Sequence, residues 1–466
     1  MNTRRISSVA RVGNIAIGGS NPIRIQSMAT VDTNDTEACV SQAKRIIDAG
    51  GELVRFTTQG TREAENMKNI STQLKQDGYP QPLVADVHFT AHVADIAAHY
   101  CEKVRINPGN YVDPGRTFKQ LEYTDKEYAE ELKKIEQKLV PFINICKEHH
   151  TAVRIGVNHG SLSDRIMSRY GDTPEGIVES CMEFLRIFRR EQFDDVVISI
   201  KASNTVVMVQ TVRLLVKTMD KEDMHYPLHL GVTEAGEGED GRIKSAVGIG
   251  ALLTEGIGDT IRVSLSEEPE CEIPVARQLV NSIEECTRLR AEAEANIKAD
   301  TITLQLDAPE WEVFQLKAAM TVGALLIDRK ATQLVIHNPH FSEERLVALA
   351  DAILQAARIK FTKTEYISCP GCGRTLYNLQ DTIQRIKAAT SHLVGLKIGI
   401  MGCIVNGPGE MAEADYGYVG AGRGKISLYR QKECVAKNIP EAEAVDRLLQ
   451  LIADDQNKKP TKQPLK

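Results

Sequence analysis

The sequence lacks the features of an exported, membrane-bound or nucleic-acid-binding protein. It contains no run of roughly 18 apolar residues that could span a bilayer, and residues 1–11 lack the apolar core of a signal peptide. Its 57 basic residues are outnumbered by 63 acidic ones, so no overall positive field attracts nucleic acid or an anionic membrane. We expect a cytoplasmic protein without nucleic-acid or membrane partners. A short transit peptide remains the alternative for the basic start.

Several cofactor and disulfide patterns are also missing. The ten cysteines follow no spacing of a small disulfide-bonded domain, which favours a reducing compartment. The CxxxCxxC pattern of S-adenosylmethionine radical enzymes is absent, as are flavin and nicotinamide fingerprints. The glycine-rich run Gly236–Arg242 matches no Walker or dinucleotide motif, and it predicts a flexible loop.

Eight short β-branched segments alternate with amphipathic helical patterns over the first part of the chain. This alternation predicts an α/β fold, a (β/α)8 TIM barrel, with a doubly wound open sheet as the alternative. The eight segments read IRIQSM, ELVRFT, PLVADV, KVRINP, AVRIGV, VVISIKAS, LHLGVTEAG and TIRVSL.

The rest of the 466 residues predicts three further regions. Long helices are expected near Asp125–His149 and Ile273–Ile297. We expect the barrel, with its substrate site, over 1–290, a short insert or reduced middle domain over 291–361, a C-terminal α+β cluster domain over 362–455, and a disordered tail over 456–466.

Five cationic residues lie in the predicted barrel strands, toward their carboxyl ends: Arg55, Arg105, Arg154, Lys201 and Arg262. One arginine in a strand is more often paired with a carboxylate, but five at equivalent places would repel one another unless an anion joined them. The planar guanidinium suits phosphate oxygens, so a diphosphate is the expected ligand.

Acidic and neutral polar residues share this rim of the barrel. A carboxylate among cations stays ionised unless a ligand neutralises them, which makes Glu234 a candidate proton donor. His88 and His229 are weaker candidates, because a histidine beside a strand is more often structural. The further candidate substrate-binding residues are Asp86, Asn107, Asn158 and Ser264.

Cysteines concentrate in the final region. Cys369 and Cys372 form a CxxC turn, and Cys403 follows in a Gly/Pro-rich turn ahead of Glu410. Three thiolates with a carboxylate as fourth ligand suit a [4Fe-4S] cluster, whereas zinc, the alternative, usually takes a second ligand pair. Cys434 falls in a predicted polar helix, and the remaining cysteines are expected to be buried as small apolar residues: Cys39, Cys101, Cys146, Cys181, Cys271 and Cys286.

Taken together, the motifs resemble the hydroxymethylbutenyl diphosphate synthase family. The similarity rests on VRINPGN, VRIGVNHGSL, PLHLGVTEAG, CPGCGRT and GCIVNGPGE among others, and the GEGEDGR loop resembles its three-domain branch. The resemblance implies that Cys369, Cys372, Cys403 and Glu410 hold a [4Fe-4S] cluster, that the five cations bind the diphosphate, and that Glu234 lies beside the substrate.

The implied reaction opens 2-C-methyl-D-erythritol 2,4-cyclodiphosphate with two electrons to 4-hydroxy-3-methylbut-2-enyl diphosphate, with ferredoxin or flavodoxin as donor. The middle region is longer than in two-domain members and shorter than in three-domain members, so we expect a homodimer. A zinc-containing barrel enzyme on a phosphorylated substrate and a cluster-carrying sensor remain the alternatives.

Overall fold

A computed structural model describes residues 4–114, 117, 119–405 and 407–458. The N-terminal part of the chain forms a parallel eight-stranded barrel. Its strands are β3 Arg24–Met28, β4 Leu53–Thr58, β5 Leu83–Val87, β6 Lys103–Ile106, β7 Ala152–Asn158, β8 Val196–Lys201, β9 His229–Leu230 and β10 Thr260–Ile261. The strands hydrogen-bond in the order β8-β7-β6-β5-β4-β3-β10-β9, and a parallel bridge between Ile198 and Leu228 joins β8 to the segment leading into β9. The predicted barrel is therefore confirmed.

Helices cover the outside of the barrel, and side-chain caps start several of them. Asp35, Thr124 and Thr173 each accept a hydrogen bond from a backbone N–H of the first helical turn. The helices are α1 Thr36–Asp48, α2 Thr61–Gln76, α3 Ala91–Ala98, α4 Pro108–Tyr111, α5 Asp125–His149, α6 Asp164–Tyr170, α7 Pro174–Arg190, α8 Thr205–Lys221, α9 Gly238–Leu253, α10 Glu272–Asn281 and α11 Ile283–Ala295.

An antiparallel hairpin closes the amino-terminal end of the barrel. It consists of β1 Val9–Val12 and β2 Ile15–Gly18. Ala10, Val12 and Ile17 of the hairpin pack in one apolar cluster with residues that begin barrel strands, including Leu53 and Ala152. Because this end is sealed, ligands reach the barrel from its carboxyl end.

The middle segment, residues 301–356, packs on the barrel helix α9. It contains β11 Thr301–Gln305, α12 Trp311–Ile327, β12 Gln333–His337 and α13 Glu343–Ala356, and the two strands are parallel. Glycine allows α9 and α12 to approach closely: a Cβ on Gly323 would lie 2.8 Å from the carbonyl oxygen of Val247. The segment thus extends the barrel's outer layer.

The C-terminal domain is a five-stranded mixed sheet with helices. Strands β13, β14 and β15 are parallel, whereas β16 and β17 are antiparallel to their neighbours. Its elements are β13 Glu365–Ser368, α14 Leu379–Thr390, β14 Lys397–Met401, α15 Gly407–Glu410, β15 Tyr416–Gly422, β16 Lys425–Arg430, β17 Glu433–Pro440 and α16 Glu441–Lys458.

Three predictions of local structure are wrong. The helix expected over Ile273–Ile297 breaks at Ser282, where α10 ends and α11 begins. The loop expected over Gly236–Arg242 becomes helical at Gly238, because Glu267 accepts from the Gly238 N–H and pairs with Arg242. Cys434 lies in strand β17 rather than in a helix.

Two further predictions need correction. Cys271 is exposed at the end of a short 3-10 turn, unlike the other five cysteines expected to be buried. The tail expected to be disordered from 456 begins inside α16, which continues to Lys458, and residues 459–466 lie outside the described part of the chain.

None of the helices in the described residues is long and apolar enough to cross a membrane.

Candidate active site

A pocket lies where the carboxyl ends of the barrel strands face the C-terminal domain. It encloses about 760 Å³, counting the space open to solvent. Twelve of the fourteen residues predicted from the sequence line it, and these come from both domains. They are Arg55, Asp86, Arg105, Arg154, Asn158, Lys201, Glu234, Arg262, Ser264, Cys369, Cys372 and Cys403.

The other two predicted residues, Asn107 and Glu410, lie close behind the pocket lining. The Asn107 amide donates to Ser161 Oγ at 2.8 Å and its oxygen accepts from the N–H of Gly109, so it caps the short helix α4. Glu410 is buried at the end of α15, and its Oε2 accepts a hydrogen bond from Thr233 at 3.1 Å. Asn107 therefore shapes a loop, whereas Glu410 joins the two domains.

Asp86 is the carboxylate around which barrel cations gather. Its Oδ1 lies 3.0 Å from Arg105 Nη1, and its Oδ2 lies 4.0 Å from Arg55 Nε. Burial alone would raise the pKa of Asp86, but the charges of Arg55 and Arg105 hold it well below the usual 3.8. Burial, together with Arg105 and Arg374, lowers the pKa of the adjacent His88 to about 3, so this imidazole is neutral.

Arg262 is also paired with a carboxylate. Glu272, at the start of α10, accepts from Arg262 Nε at 3.0 Å and from Nη2 at 2.9 Å. Ser27 Oγ donates to the same carboxylate at 2.7 Å. This buried bidentate pair neutralises Arg262, although the sequence predicted that Arg262 would share an anion with the other four cations.

Arg154 and Lys201 differ from these cations because no described carboxylate forms an ion pair with them. Arg154 is 1% exposed, and its Nε and Nη1 have no hydrogen-bond partner in the described structure. Burial and neighbouring positive charges lower the pKa of both side chains well below their usual values. An anion at this place would remove the repulsion and supply the missing hydrogen bonds.

Two glycines in the strand motifs make room for these long side chains. A Cβ on Gly156 would lie 2.3 Å from Arg105 Nε, and one on Gly231 would lie 2.6 Å from Lys201 Nζ. The glycines of VRIGVN and HLGVTEAG therefore let the cations fold across the neighbouring strands toward the pocket.

Glu234 and Glu410 form a buried pair of carboxyl groups at the domain boundary. Glu234 Oε2 and Glu410 Oε1 have no hydrogen-bond partner in the part of the chain that the structure describes. Burial raises the pKa of Glu234, while burial and the negative charge of Glu234 raise the pKa of Glu410 well above its usual value. Such a pair must share a proton or accept a cation.

The three predicted cysteine ligands lie at the ends of neighbouring parallel strands. Cys369 directly follows β13 and Cys403 follows β14, whose register pairs Ser368 with Ile400. The backbone N–H of Gly402 donates to Cys369 Sγ at 3.2 Å. Burial, followed by the charges of Cys372 and Cys403, raises the pKa of Cys369 to about 12, so the bare Cys369 thiol would be protonated.

These residues fit an iron–sulfur cluster. Soft thiolates from Cys369, Cys372 and Cys403 face one pocket, a backbone N–H already points at a sulfur, and the orphaned Glu410 Oε1 offers a harder donor. Across the described ranges, no three His, Cys, Asp or Glu side chains converge as they would around one metal ion. Ligands of a cluster bind different irons and are spread farther apart.

The C-terminal domain is docked on the barrel of its own chain. Ser266 Oγ donates to the carbonyl oxygen of Cys369 at 2.9 Å, and Ser203 Oγ donates to that of Glu410 at 3.2 Å. Gly160 and Gly409 meet backbone to backbone, since a Cβ on Gly409 would lie 1.7 Å from the Gly160 carbonyl oxygen. The pocket is therefore built within one chain.

Sequence reasoning missed Arg374, Glu272 and Met28. Arg374 follows Cys372 by two residues, so its motif was visible, but nothing in the sequence placed its side chain among the barrel cations. Glu272 becomes a partner of Arg262 only through the fold. Met28 Sδ lies 2.7 Å from Arg55 Nη2 and lines the pocket. His229, weighed as a weak candidate, is buried beside Thr260 and does not line the pocket.

Two family models match the chain. The GcpE TIM-barrel domain matches residues 7–277, and the GcpE protein C-terminal domain matches residues 365–454. Together the two matched ranges contain every residue assigned above to the pocket and its boundary.

Curated relatives match along nearly the whole chain. Proteins of Bacteroides fragilis and Phocaeicola vulgatus are each 52% identical to it over 97% of this chain and over 96% and 98% of their own, respectively. A protein of Akkermansia muciniphila is 42% identical over 97% of both chains. All three are named 4-hydroxy-3-methylbut-2-en-1-yl diphosphate synthase (flavodoxin). The Bacteroides fragilis alignment runs over 598 positions, so this relative carries a stretch that these 466 residues lack.

Proposed function

The chain belongs to the GcpE family of 4-hydroxy-3-methylbut-2-en-1-yl diphosphate synthases, and we propose that the pocket between its barrel and C-terminal domain is where it carries out that reaction. It is an oxidoreductase of isoprenoid biosynthesis. It takes 2-C-methyl-D-erythritol 2,4-cyclodiphosphate, two electrons and two protons to 4-hydroxy-3-methylbut-2-enyl diphosphate and water, with cleavage of a ring C–O bond.

The observation that carries this proposal is the convergence of uncompensated cations and cysteines on one pocket. Among the described residues, Arg154 and Lys201 have no carboxylate in an ion pair with them, and Arg55 shares Asp86 with Arg105. A diphosphate would accept hydrogen bonds from these cations and offset their repulsion. Ser264 and Asn158 line the same wall and would orient the substrate.

The C-terminal side of the pocket would hold a [4Fe-4S] cluster on Cys369, Cys372, Cys403 and Glu410. When bound, such a cluster supplies electrons one at a time and an iron that acts as a Lewis acid on a substrate oxygen. The protein contributes the contact between the domains: Glu410 and Cys369 are held against the barrel by Thr233 and Ser266.

Glu234 would be the acidic group beside the substrate. It lines the pocket four residues after β9, next to Thr233 and within reach of Glu410. Its backbone φ of 49° lies in the left-handed region, which costs energy for a residue other than glycine. This fixed backbone geometry aims the carboxyl at the boundary between the cluster ligands and the diphosphate-binding cations.

A complete site within one chain is the proposed functional unit, and a flavodoxin is the proposed electron donor. The first part rests on the hydrogen bonds that join Ser203 and Thr233 of the barrel to Glu410 of the same chain. The second part rests on the relatives, whose names specify flavodoxin. The predicted homodimer is not required for the site, and ferredoxin remains the other candidate donor.

The test is an anaerobic assay of the reconstituted protein with the cyclic diphosphate and a strong reductant, recording visible absorption and product together. We expect turnover by a brown, oxygen-labile protein. A loaded cluster without product would indicate the sensor, and a colourless, zinc-containing protein would indicate the non-redox barrel enzyme. Turnover by a monomer, isolated by size exclusion, would support the site within one chain.

A further inference from the structure

Arg374 is a cation that the C-terminal domain brings into the barrel's cation ring. It lies in the loop after Cys372, yet its Nη2 is 3.6 Å from Asp86 Oδ2 at the end of β5. Its side chain is 8% exposed and lines the same pocket as Arg55 and Arg105. One guanidinium thus spans the boundary between the two halves of the site.

The surroundings of Arg374 differ on its two sides. On one side are Cys372, two residues earlier in the chain, and Cys403, both of which line the pocket that Arg374 lines. On the other side is Asp86, which Arg55 and Arg105 already partly neutralise. Arg374 Nε and Nη1 are buried and have no hydrogen-bond partner among the described residues.

These contacts indicate that the Arg374 guanidinium interacts with groups that bind in the pocket. A buried guanidinium with two unpartnered nitrogens is costly unless a ligand accepts hydrogen bonds from them. Thiolates of a bound cluster and a substrate phosphate are the acceptors that this pocket would offer. Lysine would preserve the charge but not the planar arrangement of donors.

We propose that Arg374 is a positioning residue that donates hydrogen bonds to the thiolates of Cys372 and Cys403 and thereby raises the reduction potential of the bound cluster. This inference rests on the proposed function, since it takes these cysteines as cluster ligands. A positive charge in a buried, weakly screened site stabilises the reduced cluster, which carries one more negative charge. Asp86 anchors the other side of the guanidinium.

The test compares reconstituted proteins by redox titration monitored by electron paramagnetic resonance, without substrate. We expect Arg374→Gln to lower the equilibrium constant for one-electron reduction at least tenfold, which corresponds to about 59 mV. Arg374→Lys should recover part of this shift because it restores the charge alone. The matched control is Arg385→Gln, which removes an exposed arginine from the same domain and should leave the midpoint unchanged.

Each outcome separates this inference from the proposed function. A wild-type protein that binds no cluster contradicts the proposed function, whereas a loaded Arg374→Gln protein with an unchanged or higher midpoint overturns only the role of Arg374. If the Gln variant loses its cluster and the Lys variant keeps it, a charge at this position is required, which supports the inference. If both variants lose the cluster while remaining folded, Arg374 serves cluster retention, and the proposal is wrong.

Discussion

The two walls of the pocket are built in different ways. On the barrel wall, Arg55, Arg105 and Arg154 belong to strands whose register is fixed by neighbours on both sides. On the opposite wall, the cysteines lie in turns after β13 and β14, and Glu410 lies in a helix of four residues. Strands place side chains precisely on their own, whereas turns depend on what they contact.

The two walls therefore depend on different interactions. The barrel wall is rigid without a ligand but carries uncompensated charge, so binding an anion would stabilise it. On the proposed function, the C-terminal wall needs both a bound cluster and its contact with the barrel to bring the ligands into place. Changes on the first wall should therefore alter binding and stability, and changes on the second should alter cluster retention and turnover.

The largest expected effect is that of removing a cluster ligand. Cys403→Ser should abolish turnover and most of the bound iron, because serine is a poor ligand for a cluster iron. Binding of inorganic pyrophosphate, measured by calorimetry, should change less than about threefold, since the barrel cations are untouched. Cys434→Ser is the control. This half-buried thiol in β17 does not line the pocket, so the iron content should stay normal. If Cys403→Ser also lost pyrophosphate binding, the two walls would not function independently of each other.

Within the barrel wall, a paired and an unpaired arginine should behave in opposite ways. Arg262→Met leaves the buried Glu272 without its partner, which should lower the free energy of unfolding by about 3–5 kcal/mol. Arg154→Met removes an uncompensated buried charge, so the melting temperature without ligand should rise.

The same Arg154 variant should bind pyrophosphate about 100-fold more weakly, the effect of roughly 3 kcal/mol of lost charge-assisted hydrogen bonds. Thermal melts with and without pyrophosphate measure both quantities. A lower melting temperature for the Arg154 variant in the absence of ligand would show that its charge is compensated after all.

The contact between the two walls can be changed without touching a ligand. In Gly160→Ala the new Cβ would lie 2.4 Å from the backbone nitrogen of Glu410. The C-terminal domain must then shift, and a displacement of about 1 Å can lower kcat by up to about 100-fold. Pyrophosphate affinity should remain normal, because the barrel cations are untouched. Gly422→Ala is the control, since its Cβ would meet ordinary contacts near Lys425 at 3.9 Å. Normal turnover by Gly160→Ala would show that turnover does not depend on the exact position of the C-terminal domain on the barrel.

The barrel wall could be predicted from the sequence because strands and their ends carry a local signal. A β-branched segment followed by a polar residue marks both the strand and the residue at its carboxyl end, as for Asp86 after PLVA. The cysteine motif was equally visible, since CxxC spacing is local. The partners of these residues were not, because Glu272 meets Arg262 and Arg374 meets Asp86 only after folding.

One error in local structure has the same origin. The glycine-rich run became helical at Gly238 through Glu267, 29 positions away in sequence. This long-range contact, which sequence patterns do not show, decided the local conformation. At Ser282, by contrast, the chain turns from α10 into α11 beside a local hydrogen bond, in which Ser282 Oγ accepts from Gln278 at 2.9 Å.

The smallest expected effect lies outside both walls, in the packing of the middle segment on the barrel. Gly323→Ala would place a Cβ 2.8 Å from the Val247 carbonyl oxygen, so α12 must move away from α9. The gain in helix propensity, about 1 kcal/mol, opposes an overpacking cost of about 1–3 kcal/mol, so urea titration should show a net loss of about 1 kcal/mol. Val347→Ala on the exposed face of α13 should change stability by less than about 0.5 kcal/mol. Iron content, the cluster midpoint and kcat should be unaffected by either substitution. A shift in the midpoint would mean that the middle segment, rather than contact between the two walls alone, helps to place the C-terminal domain.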